Sequence, residues 1–227
     1  MKKKLTFYSE AAYIAGIVLL ALGTALMEQA DFGLSMVVAP AYLLHLKISQ
    51  YLPFFSFGMA EYTLQAVIIV LLSVVLRKFK PAYLFSFVTA VIYGFTLDGA
   101  MALVAVLPLA GTAAMTAGYI LGFVLCAMCV ALLFHTYIPP EAYELFVKEV
   151  SVRLGKPISV VKTIYDCCSC LVAVALSFAF FGLWHFKGVK LGTVMCAFLN
   201  GFLIGQWSKL FERLFDFKDA FKLREKV

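Results

Sequence analysis

The sequence predicts an all-α membrane protein. It has six transmembrane helices in two inverted three-helix repeats, with a short re-entrant or interfacial helix after the first span of each. Three observations lead there. The 227 residues are 63% hydrophobic and 14% charged, with a mean hydropathy of +0.96, whereas soluble chains are roughly 45–50% apolar and about 25% charged. The apolar residues run continuously for spanning lengths instead of alternating as in barrel strands. The first half of the chain also recurs in the second.

The first span is Ala11–Met27. It follows Lys2–Lys4 as a signal peptide would, but it exceeds the roughly 7–15 apolar residues of a signal h-region. It also has a later counterpart, so it is read as a mature helix. Glu28, Asp31 and Gly33 then mark where the chain leaves the span and turns back, and Asp31 is placed to cap a helix from Leu34. Ser35 and Pro40 lie in the segment Gly33–Lys47, which is interrupted at Pro40 and too short to cross. Spans two to four are Phe57–Leu76, Ala82–Leu107 and Ala113–Phe134. His135–Lys156 follows, with Ala142, Leu145, Phe146 and Val150 opposite Glu141, Glu144, Lys148 and Ser151. Of the two short segments, the apolar first is expected to dip inward and the charged second to lie on the cytoplasmic surface. The last spans are Ile164–Phe181 and Leu191–Trp207. Residues 211–227 form a basic amphipathic tail suited to an anionic inner leaflet.

The repeat is clearest in the first helix of each half. AYIAGIVLLALGTALM, from Ala12, matches GYILGFVLCAMCVALL, from Gly118, at eight of the fifteen positions from 13 to 27. AVIYGF (Ala90–Phe95) then matches AFLNGF (Ala197–Phe202) at an offset of 107, which sets Asn200 opposite Tyr93. Glu61-Tyr62 lies near Tyr165-Asp166 in the same comparison. The halves are residues 1–108 and 109–210. Each has an odd number of spans, so the second copy enters the membrane from the other side. Alternation of six spans puts sixteen of the nineteen Lys and Arg on one face, leaving Lys47, Lys187 and Lys190 on the other. Both termini are therefore expected in the cytoplasm.

Glu61, Asp98 and Asp166 stand inside or at the edge of apolar runs. A charge at the centre of an inserted helix costs about 2.5–3.5 kcal/mol, and no Lys or Arg lies inside a predicted span to pair with Glu61 or Asp98. They are candidate sites for a cation or a proton in transit, and Tyr62, Tyr93 and Tyr165 are candidate walls of a cation box. The structural alternatives are neutral carboxyls bonded to neighbouring helices and tyrosines that simply pack. Gln65, Asn200 and Gln206 are further buried polar candidates, and His135 reads as a headgroup-level residue. Cys126, Cys129, Cys167, Cys168, Cys170 and Cys196 fall in apolar helices without His at ligand spacing, so small buried residues are favoured over a metal site. Phosphate loops, zinc-protease motifs and nucleophile elbows are missing from the sequence. No cofactor, no catalytic residue and no nucleic-acid partner is expected.

The order of motifs resembles the bacterial YczE/YyaS/YitT membrane-protein family. Those motifs are Gly33-Leu34-Ser35 before a short hydrophobic helix, Ser56-Phe57-Gly58 opening the second span, Gly155–Lys162, and Lys190-Leu191-Gly192-Thr193 before the last span. The resemblance runs from about Tyr13 to Phe215. It implies a six-helix transporter or permease in a bacterial cytoplasmic membrane, with no substrate to carry over. Many relatives follow the glycine motif with Gly/Ser-Pro-Trp-Asp, where this chain has Ser35-Met36-Val37-Val38.

The expected function is transport of a small solute, cationic or coupled to protons or sodium, by alternating access. The expected partners are the lipid bilayer, a small molecule or ion, and a second copy of the chain, since some small exporters with inverted repeats dimerise. Two alternatives stand beside this: the substrate-binding subunit of a vitamin uptake complex with a separate ATPase, and a non-transporting membrane scaffold.

Overall fold

Among the described residues, five helices are long and apolar enough to cross a membrane, as in a multi-pass membrane protein. The computed structural model describes residues 4–107, 110–183 and 187–219. In order the elements are β1 (Leu5–Tyr8), α1 (Ser9–Ala30), α2 (Ala39–Ile48), α3 (Phe57–Leu76) and α4 (Ala82–Val104). They continue with α5 (Thr112–Phe134), α6 (Ala142–Leu154), α7 (Ile158–Phe181), α8 (Leu191–Leu214) and β2 (Phe215–Lys218). The spanning helices are α1, α3, α4, α5 and α7. At 24 residues α8 has the length, but Asn200, Gln206, Gly201 and Gly205 dilute it, and it falls outside the set that is apolar enough.

The helix ends follow from local chemistry. Ser56 caps α3 by accepting the Met59 N–H at 3.0 Å. Gly155 ends α6 in the left-handed conformation, with φ 61°. Two expectations are corrected here. Asp31 does not cap a helix at Leu34; it is itself the left-handed C-cap of α1, with φ 55°. Nor does Pro40 interrupt α2. It sits in the first turn, where its missing N–H would have had no intrahelical partner, and so it helps to start the helix.

The centre of the molecule is the α1–α5 pair. Backbones meet at glycine there: a Cβ on Gly122 would lie 2.6 Å from the Gly23 carbonyl oxygen, and one on Gly23 would lie 2.8 Å from that of Gly122. α4 packs on α1 and α8 on α5. The two short helices share their partners, since α2 packs on both α3 and α7, and α6 packs on the same two. The large apolar side chains left outside, among them Val67, Val74, Phe95, Leu171, Phe198 and Phe202, suit a lipid surround.

β1 and β2 pair in parallel, with Thr6 opposite Asp216 and Phe7 opposite Phe217. The Phe7 and Phe215 rings meet at 5.2 Å. The start of the expected tail is thus the last turn of α8 followed by a strand, and residues 220–227 lie outside the described residues.

Candidate functional site: a buried acidic cluster

The expectation that α6 lies on the surface is also corrected. Its first turn is driven into the protein, with Glu141 4%, Tyr143 1% and Glu144 6% exposed. Two spanning helices receive it. On α3, Gln65 accepts the Ala142 N–H at 2.9 Å and donates to Glu141 at 3.3 Å. A helix start has unpaired N–H groups, and Gln65 supplies the acceptor that water would supply at a surface.

On α7, Lys162 sits one helical turn before Asp166, and its ammonium is 2.9 Å from that carboxylate and 3.6 Å from Glu144. Both Lys162 and Asp166 are almost fully buried. From α3 comes Glu61, wholly buried. The Tyr143 hydroxyl adjoins its carboxyl, yet neither that hydroxyl nor either Glu61 oxygen completes a hydrogen bond, and one oxygen of Glu141 is also left over. The ammonium thus meets two carboxylates, Glu144 and Asp166, while Glu61 and Glu141 are buried in the same cluster and form no ion pair among the described residues. Burial, followed by the neighbouring Glu144 and Glu61, holds the Glu141 carboxyl well above the usual carboxylate range.

Beside the cluster lies a chamber of about 30 Å³, room for a water-sized occupant. Its walls are paired along the sequence. Leu20 and Cys126, Thr24 and Val130, Ser35 and Glu141, Val37 and Tyr143, and Val38 and Glu144 are each 106 residues apart, while Tyr93 and Asn200 are 107 apart. Lys162 is the remaining wall residue. The same relation governs hydrogen bonds. Ser169 donates to the Met36 carbonyl at 2.8 Å, and this contact corresponds to Gln65–Ala142 at offsets of 104 and 106.

The sequence-predicted residues divide between this centre and other duties. Glu61, Asp166, Tyr93, Asn200 and Ser35 meet at the cluster or the chamber. Tyr93 also shares a hydrogen bond of 3.0 Å with Thr24. Tyr165 stands at the edge, its ring 5.8 Å from the Lys162 ammonium and 5.5 Å from Phe146. Asp98 is elsewhere, accepting from the Ser56 hydroxyl at 2.6 Å and the Gly58 N–H at 2.8 Å. It thereby fastens α4 to the start of α3, where Gly58 and Gly94 bring the backbones together. Tyr62 packs in the same seam, 6.5 Å from Phe95.

Glu28 accepts from the Tyr42 hydroxyl at 2.9 Å. Asp31 pairs with Lys190 at 2.5 Å. Gly33 has φ 109°, and a Cβ there would meet Thr193 Oγ1 at 2.6 Å. Pro40 faces an apolar groove outside the chamber. Gln206 is exposed, and His135 bonds Ser208 at 2.8 Å. Among the described residues no group of His, Cys, Asp and Glu side chains converges as a metal site.

Glu141, Glu144 and Lys162 were not expected at the site. Lys162 is placed by the structure inside α7, although the sequence groups it with loop cations. The available signal was Pro139-Pro140 directly before Glu141, a helix start of the kind that lines transport sites when it lies at membrane depth.

Residues 7–209 match DUF6198, a family of unknown function, and the chain belongs to that family. No curated protein and no solved structure matches it.

Proposed function

We propose that this member of DUF6198 is a permease that exchanges protons for a small cationic solute by alternating access between two inverted halves. The observation that carries the reading is the excess of buried carboxyl groups. Glu144 and Asp166 pair with Lys162, and Glu61 and Glu141, buried beside them, form no ion pair among the described residues. Ionised carboxylates do not persist in such a place without protons or cations to balance them. A site that can hold either, one at a time, is the basis of an exchanger.

Three features support the architecture. The wall residues spaced 106 or 107 apart are what an approximate two-fold axis through the chamber produces. The pairing of β1 with β2 brings the two ends of the helical region together. Five crossings would separate those ends by a membrane, so α8 is read as the sixth span despite its polar residues. The sequence duplication and the family resemblance point the same way. The bias of Lys and Arg then assigns the paired ends to the cytoplasm. The chamber, too small for a solute, corresponds to an occluded state, and the halves must part to admit cargo.

The test is proton movement in proteoliposomes loaded with a pH-sensitive dye. A panel of permanently charged ammonium ions is added outside, since these do not cross lipid unaided. The expected result is proton efflux with at least one of them, abolished in Glu61→Gln while the variant keeps its monodisperse profile. Silence across the panel, or a Glu61→Gln variant as active as the parent, overturns the reading.

A further inference from the structure

Outside the acidic cluster lies a second, larger space of about 480 Å³, between α3 and α7 with α6 at its inner end. Its lining is almost wholly aliphatic and aromatic, with Leu64 and Ile68 on one side and Ile164 and Val172 on the other. Its mouth lies among lipid-facing positions, since Val67 is 58% and Val172 52% exposed. Two residues, Val37 and Tyr143, line both this groove and the polar chamber. Tyr143 is 1% exposed, and its unpaired hydroxyl is turned to Glu61, itself unpaired. Tyr165 forms another stretch of groove wall and lies against the Lys162 ammonium. A thin wall of Tyr143, Val37 and Tyr165 thus separates a hydrocarbon-lined groove, open towards lipid, from a cluster with more carboxyl groups than cations.

We infer that the solute is an amphiphilic ammonium ion that enters from the bilayer, its hydrocarbon chain in the α3–α7 groove and its charged head passing Tyr143 to the carboxyl cluster. The inference rests on the permease reading and adds substrate class and route. Charge complementarity selects the head: an anionic amphiphile would meet up to four carboxylates against one lysine. The chain gains little by leaving lipid for the groove, because both are equally apolar. The preference for an amphiphile comes instead from its concentration in the bilayer, where each buried CH₂ contributes about 0.8 kcal/mol of partitioning. A water-soluble cation has no such advantage at a lateral mouth.

The experiment is equilibrium binding to the full chain in lipid nanodiscs, with empty discs as the blank. The probes are decyltrimethylammonium, tetramethylammonium and decanoate. The decyl cation is expected to bind at least about tenfold more tightly than tetramethylammonium, referred to total concentration, and decanoate not at all. Val67→Trp and Val172→Trp obstruct the mouth from opposite helices. Both positions face lipid, so folding is preserved, and each is expected to weaken the decyl cation about tenfold and leave tetramethylammonium unchanged.

Equal affinity for the two cations overturns the lateral route but leaves the permease reading standing. Decyl binding that persists in Glu61→Gln marks a lipid site unconnected to the cluster and overturns the inference. Tight decanoate binding overturns the assignment of charge. No binding of either cation, together with no proton movement in proteoliposomes, removes both readings.

Discussion

Gln65, in the middle of α3, holds the N-terminus of α6 through Ala142, with its Oε1 2.9 Å from the Ala142 nitrogen and its Nε2 3.3 Å from Glu141. The apolar helix α3 thereby positions the acid-bearing first turn of α6. Replacing Gln65 by Leu keeps the volume roughly constant but orphans a buried N–H and a carboxylate oxygen. The expected loss is about 1–3 kcal/mol, read as a lowered midpoint of unfolding in detergent. A midpoint equal to the parent's means that water can replace Gln65 at this place.

Stability should fall as pH rises, and Glu141 gives the sign. Its folded-state pKa lies above that of the unfolded chain, so the folded protein holds the proton more tightly. The associated stabilisation is complete below the ordinary carboxyl value of about 4.3 and is lost as pH climbs through the raised folded value. Between about pH 5 and about pH 8 the parent should therefore lose thermal stability, and Glu141→Gln should follow a flatter profile. Parallel profiles for the two proteins would mean that Glu141 ionises in both states alike.

The glycines make a paired test of packing. A methyl group on Gly122 would sit 2.6 Å from the backbone oxygen of Gly23, so Gly122→Ala must force α1 and α5 apart. A loss of about 1–3 kcal/mol is expected, as for overpacked cores. At Gly201 a Cβ meets nothing within 4 Å. Gly201→Ala should be neutral or slightly stabilising through its helix preference, worth up to about 1 kcal/mol. If Gly122→Ala is as stable as Gly201→Ala, the α1–α5 seam is looser than described.

The terminal strands make the parity of crossings testable. Thr6 and Asp216 are register partners in β1 and β2, and both are exposed. Cysteines placed singly at these positions, with the exposed Cys167 and Cys168 replaced, should react with an impermeant maleimide from the same face of sealed vesicles. Labelling from opposite faces would exclude a sixth crossing by α8.

Much of the framework was legible in the sequence because lipid is an undemanding solvent to read. Backbone groups must be satisfied within the helix, and side chains must be apolar, so continuous runs such as Phe57–Leu76 coincide with α3. Tyr93 and Asn200, set opposite each other by alignment of the two halves of the sequence, do line one chamber. The roles of individual polar residues were not legible, because they depend on partners distant in the chain. Asp98 and Glu61 look alike in sequence. Tertiary structure surrounds Asp98 with donors from Ser56 and Gly58 and leaves Glu61 sealed with no completed hydrogen bond.

Glu141 and Glu144 have the pattern of a surface helix, and periodicity alone cannot tell a water-facing acid from one turned inward. That depends on whether α3 and α7 leave room for the first turn of α6 and offer Gln65 and Lys162 to meet it. Where the chain runs through apolar surroundings can be read from its residues, since hydrophobicity is a local property summed over one helix. Which of its charges meet follows from packing alone, since the energy of a buried charge is set by its neighbours in space.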